Sequence, residues 1–349
     1  MGGVAGSELA AAVCNAGGLG VLAALRLEPD QVRAAIGEIR ERTDQPFGVN
    51  LWLHKDVRNS RDPATIPEDV VRGSQSVLNQ FRPRFDLDAT LDRPPAAIDL
   101  VDSALDVLIE EQVPVFSAGL GVPERELVER FHRGGTKVVA MVATIEDGLE
   151  AAANGVDVVI AQGTESGGHR SYGDKRSHAE VIGTSTMTLV PAMIAAVGDQ
   201  VPVVAAGGIV DGRGLAAMLA LGADGVLLGT RFVATKESLA SDMWKNRMTS
   251  GDRTTALTDG FTGQWARVLK SEFTDEWQSS GAEALPGLLQ SDAGRDLFGA
   301  AKRLDDDQLQ PLYAGAAVGA LVDVPGAGEV VKTLVSDARA SLARFALGR

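Results

Sequence analysis

Short runs that are apolar at nearly every position alternate along this chain with segments whose apolar residues recur every three or four positions. The first kind predicts strands over residues 18–23, 47–53, 113–117, 137–142, 156–162, 201–206 and 225–229. The second predicts helices over 124–133, 145–154, 188–197 and 212–221. Strands that are apolar on both faces and separated by helices imply a parallel sheet with right-handed crossovers. Seven strands are one short of a closed barrel. Residues 1–6 read as a glycine-rich strand-to-helix loop that enters a helix over 7–15, with Ser7 as its N-cap, and such a loop calls for a strand before it. The expected fold is therefore α/β, a TIM (β/α)8 barrel lacking its first strand because this chain starts one strand late. The rival is a natural seven-stranded or open sheet.

Two segments break the alternation. Residues 54–99 carry Pro63, Pro67, Pro83, Pro94 and Pro95 among many charges, and residues 235–310 are long and helix-like with few β-branched runs. Each follows the carboxyl end of a strand, where insertions build a lid over the catalytic face of a barrel. The expected organisation is barrel over 1–53, an insertion contributing to the lid over 54–99, barrel again over 100–234, a smaller helical substrate domain over 235–320, and a C-terminal part, 321–349, whose amphipathic helix over 328–347 returns to the barrel wall.

Composition narrows the partners. The 349 residues are 45% hydrophobic, ample for a large core, and carry a formal charge of −14 without a Lys/Arg cluster. Nucleic acid and anionic membrane both need a positive footprint, so a small-molecule partner is expected. Cys14 is the only cysteine, which excludes an intramolecular disulfide or a multi-cysteine zinc site and fits a cytoplasmic location. The longest apolar region, 186–210, is interrupted by Pro191, Asp199, Gln200 and Pro202 and reads as a buried helix and strand, not a membrane span. No signal peptide is evident at the start of the chain.

The candidate chemistry gathers where strands end. Val158-Val159-Ile160-Ala161-Gln162 gives way to Gly163-Thr164-Glu165-Ser166-Gly167-Gly168-His169-Arg170, a glycine-rich loop with a histidine beyond the carboxyl end of a central strand. A histidine placed there can act as a base or stabilise an anionic substrate near neutral pH. Gly207-Gly208 follows the strand over 201–206, and Leu227-Leu228-Gly229-Thr230 ends the last strand; paired loops of this kind bind phosphate through backbone N–H groups. Gly18-Leu19-Gly20 superficially matches a dinucleotide fingerprint, but it follows a helix and opens a strand, the reverse of what that fingerprint requires. Glu165 and His169 are too few ligands for a metal, so none is expected. His132 and His178 read as structural or solvated. Asn50 and Gln162 lie in apolar strands, either as satisfied core amides or as contacts to a cofactor.

Taken together these residues resemble the nitronate monooxygenase family, FMN enzymes on a TIM barrel with a helical substrate domain. The most specific part is Gln162-Gly163-Thr164-Glu165-Ser166-Gly167-Gly168-His169, close to the family's Gln-Gly-x-Glu-Ala-Gly-Gly-His with Ser166 in place of alanine. Asn15-Ala16-Gly17-Gly18-Leu19-Gly20, Phe47-Gly48-Val49-Asn50, Ala205-Ala206-Gly207-Gly208-Ile209 and Leu228-Gly229-Thr230 are also similar, and Met1 matches a Pro-Met that ends the family's first strand. The resemblance implies FMN held by Asn50, Gln162, Gly167, Gly168, Gly207, Gly208, Leu227, Leu228, Gly229 and Thr230, with His169 as the active-site histidine. It implies oxidative denitrification of propionate 3-nitronate or other alkyl nitronates with O2, and allows a homodimer. Two departures are the long segment 171–183 and Tyr313-Ala314-Gly315-Ala316, which lacks the glutamine that often follows Ala-Gly in relatives. An NAD(P)H-dependent reductase of enoyl thioesters or quinones on the same fold is the nearest alternative, and a flavin-free binding protein the second.

Overall fold

The computed structural model describes residues 2–58, 62–96, 100–172 and 183–346; Met1 and His178 lie outside them. Among the described residues ten strands form two sheets. They are β1 (Val21–Ala23), β2 (Gly48–Trp52), β3 (Val115–Gly119), β4 (Lys137–Val142), β5 (Val158–Gln162), β6 (Gly168–His169), β7 (Val203–Ala206), β8 (Gly225–Leu227), β9 (Thr255–Thr258) and β10 (Ala266–Leu269). All seven strands expected from the apolar runs form one curled parallel sheet in the order β1-β2-β3-β4-β5-β7-β8. Each main-sheet strand thus pairs with its nearest sheet neighbour along the chain, as in a barrel wall.

Strand parity sorts the side chains. Val49, Leu51, Phe116, Ala118, Val138, Ala140, Val159, Ala161, Val203 and Ala205 face the helices and join the main core. Phe116 stacks on Phe131 of the helix Arg125–Arg133 at a ring separation of 4.4 Å. Truncating so fully buried an aromatic costs about 3–5 kcal/mol. The alternate positions point into the concavity: Val139, Met141, Ile160, Val204, Ala206 and Leu227 pack there, and Asn50, Ser117, Gly119 and Gln162 share their register.

The crossover helices start where short polar side chains can accept from free N–H groups. Thr144 accepts from Asp147 N at 3.1 Å to begin Ile145–Ala153, and Asp211 accepts from Gly214 N at 3.0 Å to begin Gly212–Ala220. At the first helix, Ser7–Asn15, the expectation is off by one: Gly6 is the N-cap and Ser7 the first helical residue. A Cβ at position 6 would lie 2.8 Å from Leu239 Cδ1, the tip of a largely exposed side chain that can swing aside. The C-terminal helix, Ala327–Ala346, returns to the wall and packs on both Gly212–Ala220 and Ser7–Asn15, bridging the helices beside the two edges of the sheet. Gly212 makes this close approach, since its Cβ would lie 2.5 Å from Ala338 N.

The two sequence insertions share a second core. Ile66, Val71, Leu78 and Phe81 from one pack with Phe261, Phe273, Trp277, Leu285 and Leu297 from the other. Buried Arg82 joins them: Nε donates to Asp296 Oδ2 at 2.9 Å, Nη1 to Gln75 Oε1 at 2.9 Å, and Nη2 to the Ala293 carbonyl at 3.0 Å. The region read as helix-like also holds a hairpin, β9 and β10, which with β6 forms a three-stranded antiparallel sheet. The sequence gives weak notice of it, because Thr-Ala-Leu-Thr and Ala-Arg-Val-Leu are four residues each, and the second finds a further pairing partner in the distant histidine loop.

Candidate active site at the mouth of the sheet

His169 lies beyond the carboxyl end of β5, and its position is fixed by residues from every side. Its backbone pairs with Ala266 of β10. Gln162, the last residue of β5, donates from Nε2 to the His169 carbonyl at 2.9 Å and accepts at Oε1 from Ser171 N at 2.8 Å. The Gln162 amide therefore braces the histidine segment at both its ends. Arg170, buried beneath, donates to the carbonyls of Gly163 and Gln162 at 2.5 and 3.3 Å and closes the loop on itself.

The imidazole projects among aromatic rings. Trp52, which ends β2 on the far side of the concavity, meets it edge-on at 4.5 Å, and the Tyr313 ring lies 5.1 Å away. Trp244 packs behind Tyr313 at 6.3 Å. His169 Nε2 lies 2.9 Å from Thr262 Oγ1, in the turn between β9 and β10. Among the described residues Nδ1 has no hydrogen-bond partner, and it is not one of the fully occluded polar atoms. Burial pushes the His169 pKa down from 6.5 to about 3, and the positive charge of Arg26 adds to the shift. The ring is thus neutral at physiological pH. Burial raises the Tyr313 pKa, which keeps its hydroxyl protonated and able to donate.

The glycines divide by what surrounds them. A Cβ on Gly167 would lie 2.4 Å from Gly315 N and 2.5 Å from the Ala314 carbonyl carbon, so this glycine serves a backbone-to-backbone contact with the Tyr313 segment. Gly168 has open space around it and a φ of +76°, which aims His169 out of the turn. Gly207, at φ +112°, packs against the Ser166 and Thr186 hydroxyls. The N–H groups of Gly208 and Gly229, like those of Gly167 and Gly207, have no acceptor among the described residues, and Gly208 is exposed with its Cβ position 3.2 Å from the Glu165 side chain. Leu227 faces the concavity and Leu228 the outer core, so Leu228 offers the site only its backbone. Thr230 Oγ1 accepts from Gly315 N at 2.9 Å, tying the β8 loop to the Tyr313 segment.

Asn50 projects from the inner face of β2, donating from Nδ2 to the Ser117 carbonyl at 2.9 Å and to its hydroxyl at 3.1 Å. Its Oδ1 has no partner among the described residues. Glu165 turns away from His169 and accepts at Oε2 from Thr186 N and Oγ1, both at 2.8 Å, at the start of the helix Thr186–Val197. Ser166, where the resembled signature has alanine, buries a hydroxyl beside Gly207. His132 lies apart, 2.8 Å from Asp157 at the base of β5. Sequence reasoning missed Trp52, Thr262 and Tyr313 as neighbours of His169. None sits in a glycine-rich motif; only Trp52, ending a strand on the Asn50 side, carries a signal that strand parity alone could have read.

The nitronate monooxygenase family model matches residues 1–337. A probable nitronate monooxygenase of Staphylococcus saprophyticus is 37% identical over 277 residues, 78% of this chain and 75% of that one. Among solved structures, nitroalkane oxidase from Streptomyces ansochromogenes superposes with a TM-score of 0.89 at 34% identity, covering 99% of this chain and 95% of the other. FabK from Thermotoga maritima superposes with a TM-score of 0.75 at 29% identity, covering 100% and 94%.

Proposed function

Because the chain belongs to the nitronate monooxygenase family, whose members are flavin-dependent oxidoreductases, we propose that it binds FMN and oxidises propionate 3-nitronate or other alkyl nitronates with O2. The observation that carries this reading is the placement of a neutral histidine, with one free nitrogen, among aromatic rings at the carboxyl end of the sheet.

The residues present fit the cofactor. The N–H groups of Gly208 and Gly229, which have no acceptor among the described residues and no Cβ in the way, suit a phosphate at the last two loops. Asn50 offers a free amide oxygen from the inner face, and Gln162 acts through the histidine segment that it braces. Bound there, FMN supplies the electron-accepting chemistry, and the protein supplies position and electrostatics.

On the substrate side, the Trp52 and Tyr313 rings flank the imidazole and leave it only partly exposed. The Tyr313 hydroxyl donates to a nitro or nitronate oxygen. Arg26 adds a positive field that favours an anion. His169, neutral and free at Nδ1, removes the α-proton when the substrate arrives as a neutral nitroalkane.

The test is the visible spectrum of FMN-loaded protein mixed anaerobically with propionate 3-nitronate. Loss of the oxidised-flavin absorbance supports direct electron transfer from the nitronate. An unchanged spectrum with flavin bound, together with rapid bleaching by NADH, transfers the assignment to the NAD(P)H-dependent reductase.

A further inference from the structure

Thr262 stands at the centre of a small hydrogen-bond problem with one consistent solution. Its Oγ1 is 2.9 Å from His169 Nε2, 3.2 Å from the Gln264 carbonyl oxygen and 3.3 Å from Gln264 N. A hydroxyl has one proton and two lone pairs. The Gln264 N–H can only donate, so it takes one lone pair. The Gln264 carbonyl can only accept, so it requires the proton. Nε2 is left facing the second lone pair and must itself donate. The opposite choice, with the hydroxyl proton on Nε2, leaves the carbonyl of a buried residue opposed to a lone pair.

We infer that Thr262 holds His169 in its Nε2–H tautomer and so makes Nδ1 the nitrogen that accepts the substrate proton. Nδ1 is also the ring nitrogen without a partner among the described residues. The flanking rings of Trp52 and Tyr313 hold the imidazole in place, but an apolar ring face does not choose between tautomers; the hydroxyl does. Thr262 is thus a positioning residue, and its role rests on the reading of His169 as the acid–base group.

The decisive measurement is long-range ¹H–¹⁵N NMR on FMN-loaded protein carrying ¹⁵N-histidine, with His169 assigned from the His169→Gln spectrum. The expected result at neutral pH is a pyrrole-type Nε2 and a pyridine-type Nδ1. Thr262→Val should yield a mixture of tautomers, and Thr262→Ser should restore the original pattern. In parallel, the ratio of kcat/KM for neutral nitroethane to that for its preformed nitronate should fall about tenfold in Thr262→Val and recover in Thr262→Ser, as expected for loss of one oriented hydrogen bond. A pyrrole-type Nδ1 in the wild type, or an unchanged tautomer in Thr262→Val, overturns the inference. Full nitroethane turnover in His169→Gln instead removes the acid–base reading, while the NMR pattern still decides whether Thr262 sets the tautomer.

Discussion

Two glycine-rich regions of this molecule look alike as sequence and behave differently as structure. In the segment from Gly163 to Ser171, hydrogen bonds run from Gln162 and Arg170 to the loop backbone, and Gly167 is pressed against Ala314 and Gly315. In the loops after β7 and β8, Gly208 and Gly229 keep N–H groups with no acceptor among the described residues. Gly208 is exposed and its N–H is open to solvent, whereas Gly229 is half-buried, where a backbone donor left open is costly unless something else satisfies it. The first region holds a side chain still; the second is the one we propose to receive an anion. Glycine serves both, by removing a Cβ from a tight contact in one and from a ligand's path in the other.

Substitutions separate the two roles. The largest effect is expected at His169, where His169→Ala should retain FMN yet lower nitroalkane turnover by roughly 10²–10⁴-fold, measured by nitrite release. Turnover at the wild-type rate would detach the rigid loop from the chemistry. Next is Gly167→Ala, whose Cβ meets backbone at 2.4 Å: about 3 kcal/mol of stability should be lost in urea unfolding, even without flavin. A near-neutral result would show that the Tyr313 segment can retreat.

Gly208→Ala sharpens the contrast from the other side. Its φ is +71° and its Cβ would lie 3.2 Å from Glu165 Cβ, so the flavin-free protein should lose only about 1 kcal/mol while FMN affinity falls roughly tenfold by fluorescence titration. Equal losses in both measurements would make it another packing glycine.

The most gradual effect is in the pH dependence of stability. His169 takes up its proton near pH 6.5 when unfolded and only near 3 when folded, so between those values the unfolded chain alone binds the proton. The sign follows: stability from this residue is complete above pH 6.5 and declines as pH falls, by at most about 1.4 kcal/mol per unit, less because the ring is partly exposed. His169→Gln should flatten that part of the curve in chemical denaturation at pH 5, 6 and 7. The same shift puts the acidic limb of nitroalkane kcat/KM well below pH 6.5 in the wild type.

Much of this was legible along the chain. Continuous apolar runs marked all seven strands of the main sheet, because a strand covered on both faces has no polar position to hide. The Gly-Gly-His motif at a strand end marked His169, and the returning C-terminal helix was visible in its amphipathic period. The order of strands followed from right-handed crossovers, which leave few alternatives once the alternation is known.

Only the tertiary structure decided which glycine does what, because φ, neighbouring backbone and free N–H groups are not properties of the letter G. It also decided the company of the histidine. Trp52, Thr262 and Tyr313 lie more than ninety residues from His169 along the chain and meet it within one mouth. The hairpin that carries Thr262 is too short to announce itself and pairs with a two-residue strand formed by the histidine loop. Periodicity reports burial of a residue's own element; it carries no record of what closes over that element from a distant part of the chain.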